Sequence, residues 1–598
     1  MRVGYRGKPF ARLPRYLIEG GPFSNSFLAP SRSILYGNRL RYNVPMLHRI
    51  TLAMLIAVTA YGQKPIISYR GIVNPASYMP PGLPAGGIAQ GSQFSIFGKN
   101  IGPSSSPALA YPLQTTLGSV SVTITQGKTS VSAYPVFVSP GQVNAILPSD
   151  APLGLSSVQI TYNGFKSNLA PVKIVASSFG IFTSNSAGIG PAIIQNFVSA
   201  SQQPINSLQG PAQHGETVIL WGTGLGPAPF PDNIAPSAMS LSTPTEVFVG
   251  GVPAQIAYSG RTPCCSGIDE IIFTVPSAAP SGCWVPVQVR TQGTVVSNSG
   301  TIAISDKGPC SEPSNTLVQA LLQGGSIASF VAARISVHED VGVLAPGDVT
   351  TDLAGGYLAA EQTGPYNFNP MFSFPPAGAC TTYNIIGWFP DDVSLLAGML
   401  PTSRFLNAGT STLSGPGGSV SLFTSADLGG LSFGYLGGAL SAVPAVANSG
   451  FLNPGKYTLT ATGASDIGPF QATATVPSPI VWTNRDQLAT IDRSEPLTLD
   501  WTGASPGSTV FIVGAGTDLP SNSTAMFLCV APAGASTFTV PPVMLSNLPA
   551  SRSNVLQSPA ALYLGEWSFG APATFSASGL NFGLFTTAVI GGRAVVLQ

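Results

Sequence analysis

Charged residues make up only 8% of this 598-residue chain and histidine occurs just three times, whereas soluble domains usually carry roughly 25% charged residues. So few imidazoles leave little of the usual general-base chemistry. Long amphipathic helical periods are also missing, which excludes helical bundles and coiled coils. The one stretch with a helix-like period, Leu317 to Arg334, is interrupted by Gly324 and Gly325, and each glycine costs about 1 kcal/mol inside a helix. Strands or a broken helical turn are expected there. No apolar run reaches the ~20 residues that a membrane-spanning helix needs.

What is present is strand and turn. Glycine (68) and proline (55) are abundant while the apolar share, 44%, is ordinary. Short runs of Val, Ile, Thr, Phe and Tyr are cut about every ten residues by Gly, Pro, Asn and Ser. The expected class is all-β, and the length calls for several domains in series.

The address signal is internal. Met46 to Arg49 form a short basic leader, Ile50 to Val58 an apolar run, and Ala60-Tyr61-Gly62 a small-x-small processing pattern before Gln63, the build of a signal peptide. Residues 1–45 hold eight basic side chains and one acid without strand pattern. They are expected to be a misassigned extension, with translation starting at Met46, residues 46–62 serving as the signal peptide and the exported chain beginning at Gln63. That chain has 16 basic residues against 23 acids, a balance of −7. An acidic exported protein is a poor partner for nucleic acid, whose binding rests on basic neutralisation of phosphates. No membrane span is expected in the mature chain, which is read as secreted, periplasmic or cell-surface.

An internal repeat organises the first half. Gly91-Ser-Gln-Phe-Ser-Ile-Phe-Gly98-Lys-Asn-Ile-Gly102-Pro103 aligns without gaps on Gly215-Glu-Thr-Val-Ile-Leu-Trp-Gly222-Thr-Gly-Leu-Gly226-Pro227, Val143 to Pro148 answers Ile271 to Pro276, and Ser167-Asn168 answers Ser297-Asn298. Alternation at Phe94 and Ile96, and at Val218 and Leu220, gives each strand one buried face. The glycine-rich Gly222 to Gly226 stretch follows a strand but opens no helix, so a dinucleotide loop lacks its context.

These residues resemble the IPT/TIG immunoglobulin-like domain. More narrowly, Gly71-Ile-Val-Asn-Pro-Ala-Ser-Tyr78, Val138-Ser-Pro-Gly-Gln-Val-Asn144 and Cys264-Cys265-Ser-Gly-Ile-Asp269 are similar to a large family of exported acidobacterial proteins without assigned activity. The resemblance implies tandem sandwiches at 63–176 and 177–308, used for adhesion, spacing or interaction. Strand signals such as Ser419 to Phe423 and Tyr457 to Ala461 then imply a β-rich domain at 309–476. Prolines 477 and 479 mark a boundary, and a C-terminal β-sandwich is expected at 477–598.

No catalytic, cofactor or metal residue is marked. His214 and His338 are the histidines of the mature chain. Gly430-Leu-Ser-Phe-Gly434 matches a nucleophile elbow but lacks the following helix. His338, Glu339, Asp340, Asp348 and Asp352 form the densest polar cluster, without the spacing of a calcium loop. Six tryptophans, Trp221, Trp284, Trp388, Trp482, Trp501 and Trp567, offer either core or a sugar-stacking platform. The leading expectation is a structural, adhesion or interaction module whose partner is an extracellular protein or a polysaccharide. A carbohydrate-binding protein comes next, marked by exposed coplanar aromatics, and a hydrolase last, marked by a deep pocket around His214 or His338.

Six cysteines in an exported chain favour disulfides. In the immunoglobulin-like sandwich that the resemblance implies, the strand from Ile268 to Val275 carries the chain away from Cys264 and Cys265, so Cys283 lies a strand length off, over 20 Å. A final strand antiparallel to the one opening at Trp284 returns Cys310 to Cys283. Cys283 with Cys310 is therefore expected, leaving Cys264 and Cys265 to bridge vicinally or stay reduced. Adjacent Cα atoms are only ~3.8 Å apart, below the ordinary bridging distance, so a vicinal bridge is expected to be easily reduced. Cys380 and Cys529 remain as the third pair, closing a loop worth about 4–5 kcal/mol in the chain-entropy model.

Overall fold

The computed structural model describes residues 64–311, 325–339, 347–361, 368, 373–386, 403–422, 435–437, 451–551, 560–570 and 572–598. The signal segment, residues 1–45, the Gly430–Gly434 stretch, Asp340 and Trp388 lie outside them. Among the described residues the α-helix is one turn, Pro542–Leu545, and no helix is long and apolar enough to cross a membrane.

The first module is a two-sheet sandwich. Strands β1 (Ile66–Val73), β2 (Gln93–Lys99), β3 (Val120–Gln126), β4 (Tyr134–Val138), β5 (Gln142–Ile146), β6 (Gly154–Tyr162) and β7 (Ala170–Val175) divide into β1-β2-β5-β4 and a sheet built on β7-β6-β3. Phe94, Ile96, Val122, Val143 and Ile160 fill the space between them. In the second module, β8 (Thr217–Thr223), β9 (Thr245–Val249), β10 (Val252–Arg261), β11 (Asp269–Thr274), β12 (Gly282–Thr291) and β13 (Gly300–Ile304) follow the order β8-β11-β10-β9-β12-β13. The irregular register of β10 between Ile256 and Tyr258 lets one strand pair with both β9 and β11, as a β-bulge does by bending its strand.

The repeated residues hold equivalent places in both copies. Gly98 lies opposite Ile67 and Gly222 opposite Ile181. A Cβ there would meet the Ile66 carbonyl oxygen at 2.2 Å or that of Gly180 at 2.3 Å, so only glycine lets the first strand approach. Asn168 and Asn298 serve that strand from its other side. Each side-chain amide accepts from and donates to the backbone of one residue, Ile67 or Ile181.

Beyond residue 311, strands β14 (Gly325–Glu339), β15 (Gly347–Glu361), β16 (Cys380–Ile386), β17 (Ser411–Gly415), β18 (Gly418–Leu422), β19 (Gly455–Ala461), β20 (Phe470–Val476), β21 (Leu497–Thr502), β22 (Thr509–Asp518), β23 (Ser523–Val530), β24 (Thr537–Val540), β25 (Ala560–Trp567) and β26 (Leu580–Ala594) are described. Strand, not helix, occupies the described part of the Leu317 to Arg334 stretch. Seven of these strands run β16-β23-β22-β25-β26-β14-β15 in one ten-stranded sheet. The boundary expected at 476/477 therefore does not separate two sandwiches: β14 lies parallel to β26 from Ile327/Phe582 to His338/Arg593, and β16 pairs with β23. The smaller sheet β18-β17-β19-β20 covers a core at Phe330, Leu413, Leu459 and Phe585. A second core at Trp501, Ile512, Phe527 and Leu564 lies under β21 and the helical turn.

Candidate functional site

The six cysteines form three bridges, Cys264–Cys265, Cys283–Cys310 and Cys380–Cys529. Cys283 sits at the start of β12, which runs antiparallel to β13, and its Cα lies 5.5 Å from that of Cys310. Cys380 and Cys529 stand directly opposite each other on β16 and β23, tying residues 149 positions apart.

The candidate polar cluster resolves into ion pairs across the β14/β15 hairpin. Arg334 holds Asp352 through two bonds of 2.7 and 2.9 Å, and Leu452 N–H also donates to Asp352 at 2.8 Å. His338 Nδ1 lies 2.8 Å from Asp348, which Arg485 approaches at 3.3 Å. Among the described residues no group of three or more His, Cys, Asp and Glu side chains is placed to hold a metal ion. Trp221, Trp284, Trp482 and Trp501 are core residues. Trp567 meets Phe374, Phe511 and Phe569 at interplanar angles of 57°, 59° and 80°, so these rings form no coplanar stacking platform. Trp567, Phe374 and Phe511 border an apolar cavity of about 360 Å³ with Val513, Met526 and Leu528. Glu566 beside it accepts from Ser505 N–H and the Ser508 hydroxyl at 2.7 and 2.9 Å.

His214 is fixed at both ring nitrogens, Nδ1 2.7 Å from Asp306 and Nε2 2.9 Å from the Ala279 carbonyl oxygen. Its hydrogen bond to Asp306 favours the imidazolium and raises its pKa above the ordinary value.

The densest built polar arrangement is the junction between the first two modules. Arg261 ends β10 and is 5% exposed. Its Nη1 pairs with Asp269, and its Nη2 donates to the carbonyl oxygens of Gly91 in the first module (2.7 Å) and Gly226 in the second (2.6 Å). Asp269, fully buried, also accepts from Gly224 and Leu225 N–H at 2.8 Å each. Around this pair, Asp232 accepts from the N–H and hydroxyl of Ser149. The Asn74 amide donates to the Ser178 and Thr223 carbonyl oxygens, and Gly267 O accepts from Gln93 N–H and the Thr223 hydroxyl. The quoted motifs containing Asn74 and Asp269 are thus parts of one joint, while Arg261, Asp232 and Ser149 carried no signal in the sequence beyond the rarity of charge.

Next to Asp269, Glu270 is 7% exposed, and burial pushes its carboxyl up to about 7. Both Glu270 and His214 bind protons more tightly in the folded chain than in the unfolded one, so each stabilises at lower pH and loses that contribution as pH rises. For Glu270 the window runs from the ordinary carboxylate range up to about 7, and for His214 it extends upward from about 6.5. The unfolding midpoint is expected to fall from pH 6 to pH 8, and Glu270→Gln is expected to flatten that slope. A midpoint that rises with pH in calorimetric scans would contradict this.

No known family matches the chain, and no curated protein matches its sequence. Solved structures give partial likenesses. The plexin A4 extracellular region is 13% identical over 39% of this chain and 18% of its own, with a TM-score of 0.14. Domains 5–6 of the S-layer protein SbsC are 13% identical over 41% of this chain and 99% of their own, at 0.15. The Bacteroides ovatus SGBP-B, solved with a mixed-linkage heptasaccharide, is 11% identical over 58% and 81%, at 0.17. Scores of this size assign neither function nor overall arrangement.

Proposed function

We propose that this chain is an exported multidomain β protein that acts as a stiff structural or interaction module at or beyond the cell surface, its first half built from IPT/TIG-type units. One observation carries the reading: successive units meet through buried polar contacts instead of open linkers. Arg261 joins the first two. The second meets the ten-stranded sheet where the Ser299 hydroxyl lies 2.8 Å from that of Thr382 and accepts from Thr382 N–H at 3.0 Å. Buried polar groups that bond across a junction fix its geometry, because parting the units removes those partners. Small-angle scattering from the chain starting at Gln63 is expected to show one rigid particle, and fractionation of producing cells to find it outside the cytoplasm. A scattering profile of beads on flexible links, or retention in the cytoplasm, overturns the reading.

A further inference from the structure

The loop that closes the joint from the second module, residues 262–268, carries the vicinal bridge. Its internal backbone bonds are long, 3.3 Å from Thr262 N–H to Ile268 O and 3.3 Å from Ile268 N–H to Cys265 O. Yet it touches the first module twice. Gly267 O accepts from Gln93 N–H at 3.3 Å, an N–H that also donates at 3.1 Å to the Thr223 hydroxyl oxygen, itself held by Gly267 O. The Ser266 hydroxyl lies 3.0 Å from that of Tyr111. A bridge between neighbouring residues closes a small ring through their shared peptide, which restricts the backbone where the hydrogen bonds are weak. Cys265 packs against the Trp221 and Ile268 cluster, whereas Cys264 is exposed. In the other bridges Cys283 and Cys380 are 3% exposed and Cys529 0%, with Cys310 half-buried.

We propose that Cys264–Cys265 is a redox-cleavable clamp on the joint between the first two modules, opened by an external dithiol. This rests on the fixed joint described above. The attacking thiolate bonds to the exposed Cys264 sulfur and the Cys264–Cys265 bond breaks, with Cys265 leaving as thiolate. The second thiol of the reductant then displaces Cys264. Two electrons pass to the protein, the reductant departs as its own disulfide, and both cysteines end as thiols. Without the ring the loop loses its fixed turn, and Gly267 O releases both Gln93 N–H and the Thr223 hydroxyl, whose oxygen is then no longer oriented to accept from Gln93.

The test uses the chain from Gln63 in graded dithiothreitol, with alkylation mapped by mass spectrometry and hydrogen exchange followed at the Gln93 amide. Cys264 and Cys265 are expected to label at reductant concentrations at least tenfold below those that open the other bridges, and Gln93 exchange to quicken at least tenfold on their reduction. A Cys264→Ser/Cys265→Ser double variant, kept oxidised at the other bridges, is expected to exchange like the reduced chain. Unchanged Gln93 exchange after labelling of this pair, a double variant that exchanges like the oxidised chain, or earlier opening of another bridge overturns the clamp alone. Fast exchange already in the oxidised chain overturns the fixed joint, and the clamp with it.

Discussion

Replacing Arg261 by methionine is expected to destabilise the second module by about 3–5 kcal/mol, the range for removing one partner of a buried ion pair. The substitution keeps an apolar stem of similar length, so little cavity is made and the loss reports the guanidinium. Asp269 stays behind at 0% exposure with two backbone donors and no counter-charge. The carbonyl oxygens of Gly91 and Gly226 lose the Nη2 donor that joins them. Asp269→Leu alone is expected to be as costly, because it strands the guanidinium and the Gly224 and Leu225 N–H groups. The double variant removes both charges and is expected to recover part of the loss, while leaving the backbone groups unpaired. Chemical denaturation followed by intrinsic tryptophan fluorescence measures all three. A loss below about 1 kcal/mol for Arg261→Met, the scale of an exposed pair, would show that water reaches this joint.

Features set by local alternation and by turn residues were legible in the sequence. Val218 and Leu220 alternate as a strand must, and Gly215 has a φ of +80° at the turn before it, where a Cβ is disfavoured. The single buried face expected from that alternation is corrected, since Ile219 and Trp221 on the opposite face are buried too, in a second cluster. The Cys283–Cys310 pairing needed strand directions and the antiparallel neighbours of an immunoglobulin-like sandwich, which the resemblance implied. The role of Ser167-Asn168 and Ser297-Asn298 was not legible although the repeat itself was. Their partners Ile67 and Ile181 lie 101 and 117 residues upstream, and no local pattern names them. The same limit hid the shared sheet: β14 fell in the stretch read as strands or a broken helical turn, and the proline-marked stretch near Pro477 separates sequence segments without separating hydrogen-bonded neighbours. Arg261 was hidden because its ligands span 170 positions and two of the three are backbone oxygens. The cluster at His338 shows the converse. Polar residues near in sequence were grouped, but the hairpin spreads them along its length, with Asp348 facing His338 and Asp352 facing Arg334.

Asn298→Ala is expected to cost about 2–4 kcal/mol, and Asn168→Ala, its counterpart in the repeat, about 1 kcal/mol or less. The two asparagines make the same pair of bonds to the first strand of their modules, so the difference comes from burial. Asn298 is 1% exposed and Ile181 0%. Its Oδ1 accepts from Ile181 N–H at 2.8 Å, and its Nδ2 donates to the carbonyl oxygens of Ile181 and Gly188 at 2.9 and 2.7 Å. Truncation to alanine leaves three backbone groups without partners where water does not reach, and a buried unpaired group costs about 1–3 kcal/mol. Asn168 is exposed. Ile67 is itself 2% exposed, but removing the exposed amide lets solvent reach its N–H and carbonyl oxygen, so only the net value of two hydrogen bonds is lost, about 0.5 kcal/mol each at the low end of the usual range. For a module of about a hundred residues each kilocalorie moves the melting midpoint by roughly 4–8 °C. Scanning calorimetry on the two variants is expected to show a fall several times larger for Asn298→Ala. Equal shifts would mean that the strand edge at Ile181 is hydrated, and that the Ser-Asn repeat marks a turn instead of a buried substitute for a neighbouring strand.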